Sequence, residues 1–185
     1  MSKKLSEMSL KELFRLFPVS LVDHKNEWKE QFNEEKIFVE NALSPLFNVK
    51  ISHIGSTAID GIYAKNIVDM LVEVPKDCEL KSVCNTLVSS GYICMSVSPA
   101  RISLNKGYTP DGFADKVFHL HLRYEGDNDE IYFARYLNEH PSDALQYQQL
   151  KQSLARRYKH DRDAYTQAKT DFVKEVTAKA LALYK

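Results

Sequence analysis

Cysteine is scarce in these 185 residues and badly spaced for a framework. Cys78, Cys84 and Cys94 are odd in number and form no CxxC pair. That argues against a disulfide scaffold or zinc knuckle and for a reducing, cytoplasmic setting. Glycine and proline are few, six of each, which excludes collagen-like and low-complexity chains. Neither sign of charge is in excess: Lys plus Arg and Asp plus Glu both total 25, so a broad basic surface for nucleic acid is not indicated. No apolar run approaches the ~20 residues that span a bilayer, so no membrane partner is expected. The opening MSKKLSEMSLKELFRLF breaks its apolar positions with charges and lacks the continuous core of a signal peptide.

What remains has the composition of a globular chain, 44% hydrophobic and 27% charged, of a size for one domain. Residues 1–185 read as that domain, with 1–18 as an N-terminal helical extension. Ser9 can cap a short helix ending at Phe17, with Glu12 three residues on and Pro18 behind it. A longer helix runs from Asn26 to Leu43, closed by Pro45. Strands are expected at 49–54, 67–74, 92–97, 100–108 and 116–124, with a helix from Leu80 to Ser89 ending at Gly91. After EGDNDE the chain reads as helical: 131–139, 142–158 and 161–183. The last carries a stripe of Tyr165, Ala168, Phe172, Val176 and Ala180. Strands followed by a run of helices indicate an α+β fold, with the helices packed at one end.

Two local features carry chemistry. Gly55-Ser56-Thr57 follows a strand at once; glycine permits a sharp turn and close ligand approach, and the hydroxyl and amides can donate to phosphate oxygens. Most Gly-Ser turns are only turns or caps. Asp69 stands in the apolar run Ile67 to Val72, where an unpaired carboxylate costs several kcal/mol, roughly, unless neutralised, paired or metal-bound. An ion pair with Lys65 or an arginine would satisfy it equally well.

HIGSTAIDGIYAKNIVDMLVEV resembles the core signature of the GrpB family, and FHLHL, YLNEHP, YQQLK, YTQAKTDF and Trp28 are similar to that family in order. The resemblance covers roughly residues 19–180 and implies a nucleotidyltransferase-like mixed β-sheet flanked by helices. By that likeness Gly55, Ser56, Thr57 and Lys65 would hold the phosphates of a nucleoside triphosphate, and Asp69 would bind Mg²⁺ or Mn²⁺. The partners would then be a small-molecule nucleotide and an unidentified acceptor.

The chain departs from a two-metal pattern. Position i+2 from Asp69 is Leu71, and Glu73 lies roughly 13 Å along the strand, too far to share an ion. His119 and His121 alternate with apolar residues, so their imidazoles share one face within about 7 Å. With Asp69 they compose a ligand set known for zinc, iron or manganese. His121 could instead be the base that activates an acceptor hydroxyl, beside Asp69 and Lys65. His53 is a further candidate ligand or acid/base. Arg135, like Lys151 and Lys169, could reach a phosphate, although Ala134-Arg135 stands where the family pattern has an Arg-Asp pair. Lys151 and Lys169 read most simply as solvated helix charges.

Three functions follow: a metal-dependent nucleotidyl or phosphoryl transferase, a nucleotide- or metabolite-binding module that has lost its chemistry, and a transition-metal hydrolase.

Overall fold

The computed structural model describes residues 3–44 and 47–185; Pro45, expected to close the second helix, and the first two residues of the extension lie outside the described residues. A 3₁₀ turn (Leu5–Glu7) and helix α1 (Leu10–Leu16) open the chain. A reciprocal capping box fixes the start of α1: Glu12 N–H donates to Ser9 Oγ at 3.3 Å, and Ser9 N–H donates to Glu12 Oε2 at 2.7 Å. Its end is pinned by Phe17, whose ring lies 4.7 Å from Tyr108 and 4.9 Å from Phe113. There follow α2 (Glu27–Leu43), β1 (Lys50–Ile54), β2 (Val68–Val74), α3 (Leu80–Ser89), β3 (Ile93–Val97), β4 (Arg101–Thr109) and β5 (Gly112–Tyr124). Four helices close the chain: α4 (Asp129–Glu139), α5 (Pro141–Arg157), α6 (Arg162–Gln167) and α7 (Thr170–Tyr184).

The five strands form one mixed sheet in the order β1-β2-β5-β4-β3, in which only β2 and β5 run parallel. Strand alternation divides β2 between two faces. Val68, Met70 and Val72 are fully buried in a core shared with Trp28 and Val39 of α2, Val83 and Leu87 of α3, and Leu120 of β5. Burial of each such side chain contributes roughly 1.5–3 kcal/mol. Asp69, Leu71 and Glu73 take the other face, and register sets them beside His119, His121 and Arg123 of β5. This pairing, which links residues fifty apart, builds the site.

Two expectations are corrected. β5 begins at Gly112, not near residue 116, because Phe113 pairs with Tyr108 and packs on Phe17. The final helix is broken around Ala168-Lys169. Tyr165 packs with Val19 and Leu154, whereas Val176 and Ala180 pack with Phe133 and Tyr147. One straight helix does not serve both clusters, and the Asp161 side chain caps α6 separately.

Candidate functional site

The Gly55 turn sits directly against the Asp69 carboxylate. Ile54 is the register partner of Asp69, so the chain leaves β1 at that residue's side. Gly55 has φ 72° and ψ −168°, and a Cβ built there would lie 2.4 Å from Asp69 Oδ2. Only glycine permits this approach. The turn that follows, Ser56–Ala58, is a single 3₁₀ turn rather than a helix. Ser56 faces the cavity described below.

Two imidazoles meet the other carboxylate oxygen. His119 Nδ1 lies 3.3 Å and His121 Nε2 3.5 Å from Asp69 Oδ1. Burial pushes the Asp69 pKa up, but the two histidines outweigh it and hold the carboxyl well below the ordinary range. His119 is engaged at both nitrogens. Its Nε2 is 2.7 Å from the Tyr108 hydroxyl, whose oxygen accepts from Arg162 Nη2 at 2.8 Å. Burial lowers the His119 pKa, with Lys65 and Arg162 adding to the effect against Asp69. A neutral ring with its proton on Nδ1 satisfies all of this: Nδ1 faces the carboxylate, and Nε2 accepts from Tyr108. His121 is the more open imidazole, 27% exposed against 18%.

Above Asp69 lies a cavity of about 970 Å³. Its lining includes Lys65, Lys151, Arg162 and Lys169, together with Arg101, paired with Asp127, and with Asp129, Glu130 and Asp163. Lys65 is lowered to about 8 by burial and by the charges of Arg162 and Lys169, against the pull of Asp69. Lys151, 1% exposed, is lowered to about 7 by burial and by Lys169 and Lys65. Its ammonium donates to the Tyr63 carbonyl. The charge of a polyanion would offset both the burial and the repulsion of these lysines.

The structure thus brings Gly55, Ser56, Lys65, Asp69, His119 and His121 to one cavity. Thr57 also lines it, but its hydroxyl is 3.0 Å from His53 Nε2. His53 itself is on the opposite face of the sheet, opposite Met70 and stacked on Phe32 at 4.7 Å. Burial lowers its pKa to about 4, so it is a neutral packing residue rather than a member of the site. Arg135 is likewise outside: it is exposed on α4, paired with Glu139 at 2.8 Å and laid over Tyr184. Glu73 is buried and accepts from Gly126 N–H and Asn128 Nδ2, a structural role.

Asp69, His119 and His121 converge as hydrogen-bonding groups. Among the described residues, no group of three or more His, Cys, Asp or Glu side chains is arranged to hold a metal ion. Sequence reasoning missed Tyr108 and Arg162, and it read Lys151 and Lys169 as solvated. Nothing in the local sequence marks the first two. The burial of Lys151 was signalled only by its place four residues after Tyr147, which is buried too. No helix among the described residues is long and apolar enough to cross a membrane.

The architecture resembles nucleotidyltransferase folds. The family described as GrpB protein matches residues 18–179. The glutamate-rich protein GrpB of Alkalihalophilus pseudofirmus is 36% identical over 85% of this chain and 93% of its own length. A UPF0157 protein of Pseudomonas aeruginosa is 34% identical over 84% of this chain, which spans only 64% of that relative. The crystal structure of conserved protein GrpB from Enterococcus faecalis superposes with a TM-score of 0.76 at 28% identity, covering 89% of this chain and 99% of that one. The GLD-2/RNP-8 complex shares the fold alone, with a TM-score of 0.54 at 15% identity over 80% of this chain and 58% of that one.

Proposed function

The chain belongs to the GrpB family, and we propose that it binds a nucleoside triphosphate and transfers a nucleotidyl group from it to an acceptor hydroxyl. The observation that carries this reading is the convergence of Lys65, Lys151, Arg162, Lys169 and the Gly55-Ser56 turn on one cavity with an ionised Asp69. Lys65, Lys151, Arg162 and Lys169 hold the phosphates, and amides of the turn donate to them. Lys65, next to Asp69, offsets charge that develops on the transferred group. In the reaction, the acceptor oxygen bonds to the α-phosphorus as the bond to pyrophosphate breaks. The acceptor proton passes to Nδ1 of His121, the more open imidazole, whose Nε2 faces Asp69.

Asp69 fits one divalent cation of the Mg²⁺ or Mn²⁺ type, bound through a carboxylate and substrate phosphates. When bound, such an ion supplies Lewis-acid neutralisation of phosphate charge. A second ion has no carboxylate here, because the position that would hold it is Leu71, fully buried. That same leucine favours a second reading, a module that binds nucleotide without transferring it.

A thermal-shift panel of nucleoside triphosphates with Mg²⁺ or Mn²⁺, on wild type and Asp69→Ala, tests the assignment. A ligand at a hundred times its Kd adds about 2.7 kcal/mol, or roughly 5–10 °C for a chain of this size. The metal-dependent part of that shift should vanish in Asp69→Ala. No shift with any nucleotide would sink both readings; a shift without pyrophosphate release across a broad acceptor screen would leave only the second.

A further inference from the structure

One row of register partners crosses the cavity face of the sheet: Asp69 on β2, His119 on β5, Asn105 on β4 and Ile93 on β3. Polarity falls along it, from carboxylate through imidazole and amide to an aliphatic side chain. At about 4.8 Å per strand, the row is about 14 Å long. Met95, at the β3 bulge, joins Ile93 in lining the cavity. The N-terminal segment adds Leu5, Leu10, Leu13 and Phe14 to the same lining. That segment precedes the family match, which starts at residue 18.

Three of these side chains are left open to water: Leu10 is 67%, Met95 57% and Ile93 41% exposed. Apolar surface at the mouth of a cavity is surface that a ligand gains by covering. At about 970 Å³ the cavity lies at the upper end of the range for small-molecule sites, with room beyond a triphosphate.

We propose that this apolar end holds the acceptor, and that the acceptor is an amphiphile. Its hydroxyl reaches Asp69 and His121, and an aliphatic body runs along the row toward Ile93 and Met95 under the N-terminal segment. The proposal rests on the transferase reading of the same site. A nucleobase is the poorer occupant. Bases are held by stacking and by hydrogen bonds to their edges. Here Phe17 and Tyr108 are packed on each other at 4.7 Å and Arg101 is paired with Asp127, so beside the aliphatic side chains the wall offers Phe14, Ser6 and Asn105.

The test is a fluorescence titration with a dansyl-tagged undecanol, on the full chain and on a Leu10→Asp/Met95→Asp double variant. Both positions are exposed, so the fold is not at stake. Wild type should bind saturably with blue-shifted emission, and the double variant at least about tenfold more weakly. The thermal shift given by ATP with Mg²⁺ should be the same in both proteins. Equal probe binding by the two, or none by wild type, overturns the proposal. So does loss of the ATP shift in the double variant without probe binding to wild type, since the wall would then hold the base. Probe binding with no nucleotide shift in either protein keeps the amphiphile site and removes both nucleotide readings.

Discussion

Gly55 and Asp69 fit together only because residue 55 has no side chain: a Cβ there would meet the Asp69 carboxylate oxygen at 2.4 Å and its Cβ at 2.9 Å. The backbone at Gly55 also lies in a region that only glycine adopts freely, where any other residue costs roughly 1–3 kcal/mol. Gly55→Ala should therefore lower the melting temperature by several degrees, at about 2–4 °C per kcal/mol. It should abolish the metal-dependent nucleotide shift as well, because relief of the clash displaces Asp69. Ser56→Ala, which carries no such clash, should keep the melting temperature. Calorimetry of both variants with and without ATP and Mg²⁺ checks this; a full nucleotide shift in Gly55→Ala would remove the turn from the site.

The Tyr108 hydroxyl bridges His119 and Arg162, at 2.7 and 2.8 Å. In Tyr108→Phe the ring still packs against Phe17 and Phe113, but two partly buried polar groups lose their partner, at a cost of about 1–3 kcal/mol. The His119 proton is then no longer confined to Nδ1. Long-range ¹H–¹⁵N correlations should show His119 moving from one tautomer toward a mixture, while His53, on the far face of the sheet, stays as it is. An unchanged His119 pattern would mean that Asp69 alone orients the ring.

The sheet was legible because its signals are local. Alternation in FHLHL puts His119 and His121 on one face, and the lone acid in an apolar run marks Asp69, whatever the strands pair with. Their meeting also needed the parallel pairing of β2 with β5, which no local signal carries. His53 was misplaced by one residue of register. It is Ile54 that pairs with Asp69, so its neighbour points to the α2 face and packs on Phe32. The cationic residues on α5, α6 and the turn before α7 were illegible for another reason. Which face of a helix is buried depends on what it packs against, and the break at Ala168-Lys169 is decided by two separate apolar clusters. Lys65 was read as a site residue through the family signature that contains it.

The two depressed lysines make both stability and anion binding depend on pH. Lys65 titrates at about 8 and Lys151 at about 7, against an ordinary value of 10.5. Between roughly pH 7 and the unfolded value, the unfolded chain holds more protons than the folded one, so these groups make stability rise with pH. The slope is at most about 1.4 kcal/mol per pH unit for each lysine. Below pH 7 both states are protonated and the full penalty of burying the charges applies. Lys151→Met should therefore flatten the rise in melting temperature between pH 7 and 9 relative to wild type. Phosphates reverse the preference, because they favour the charged lysines and raise their pKa. ATP should bind best near pH 7, weaken toward pH 9, and draw up to roughly 1.4 protons from solution at pH 8. Titration calorimetry in buffers of different ionisation enthalpy measures that uptake directly. Binding without proton uptake would mean that the lysines do not face the phosphates, and the anion site would have to lie elsewhere in the cavity.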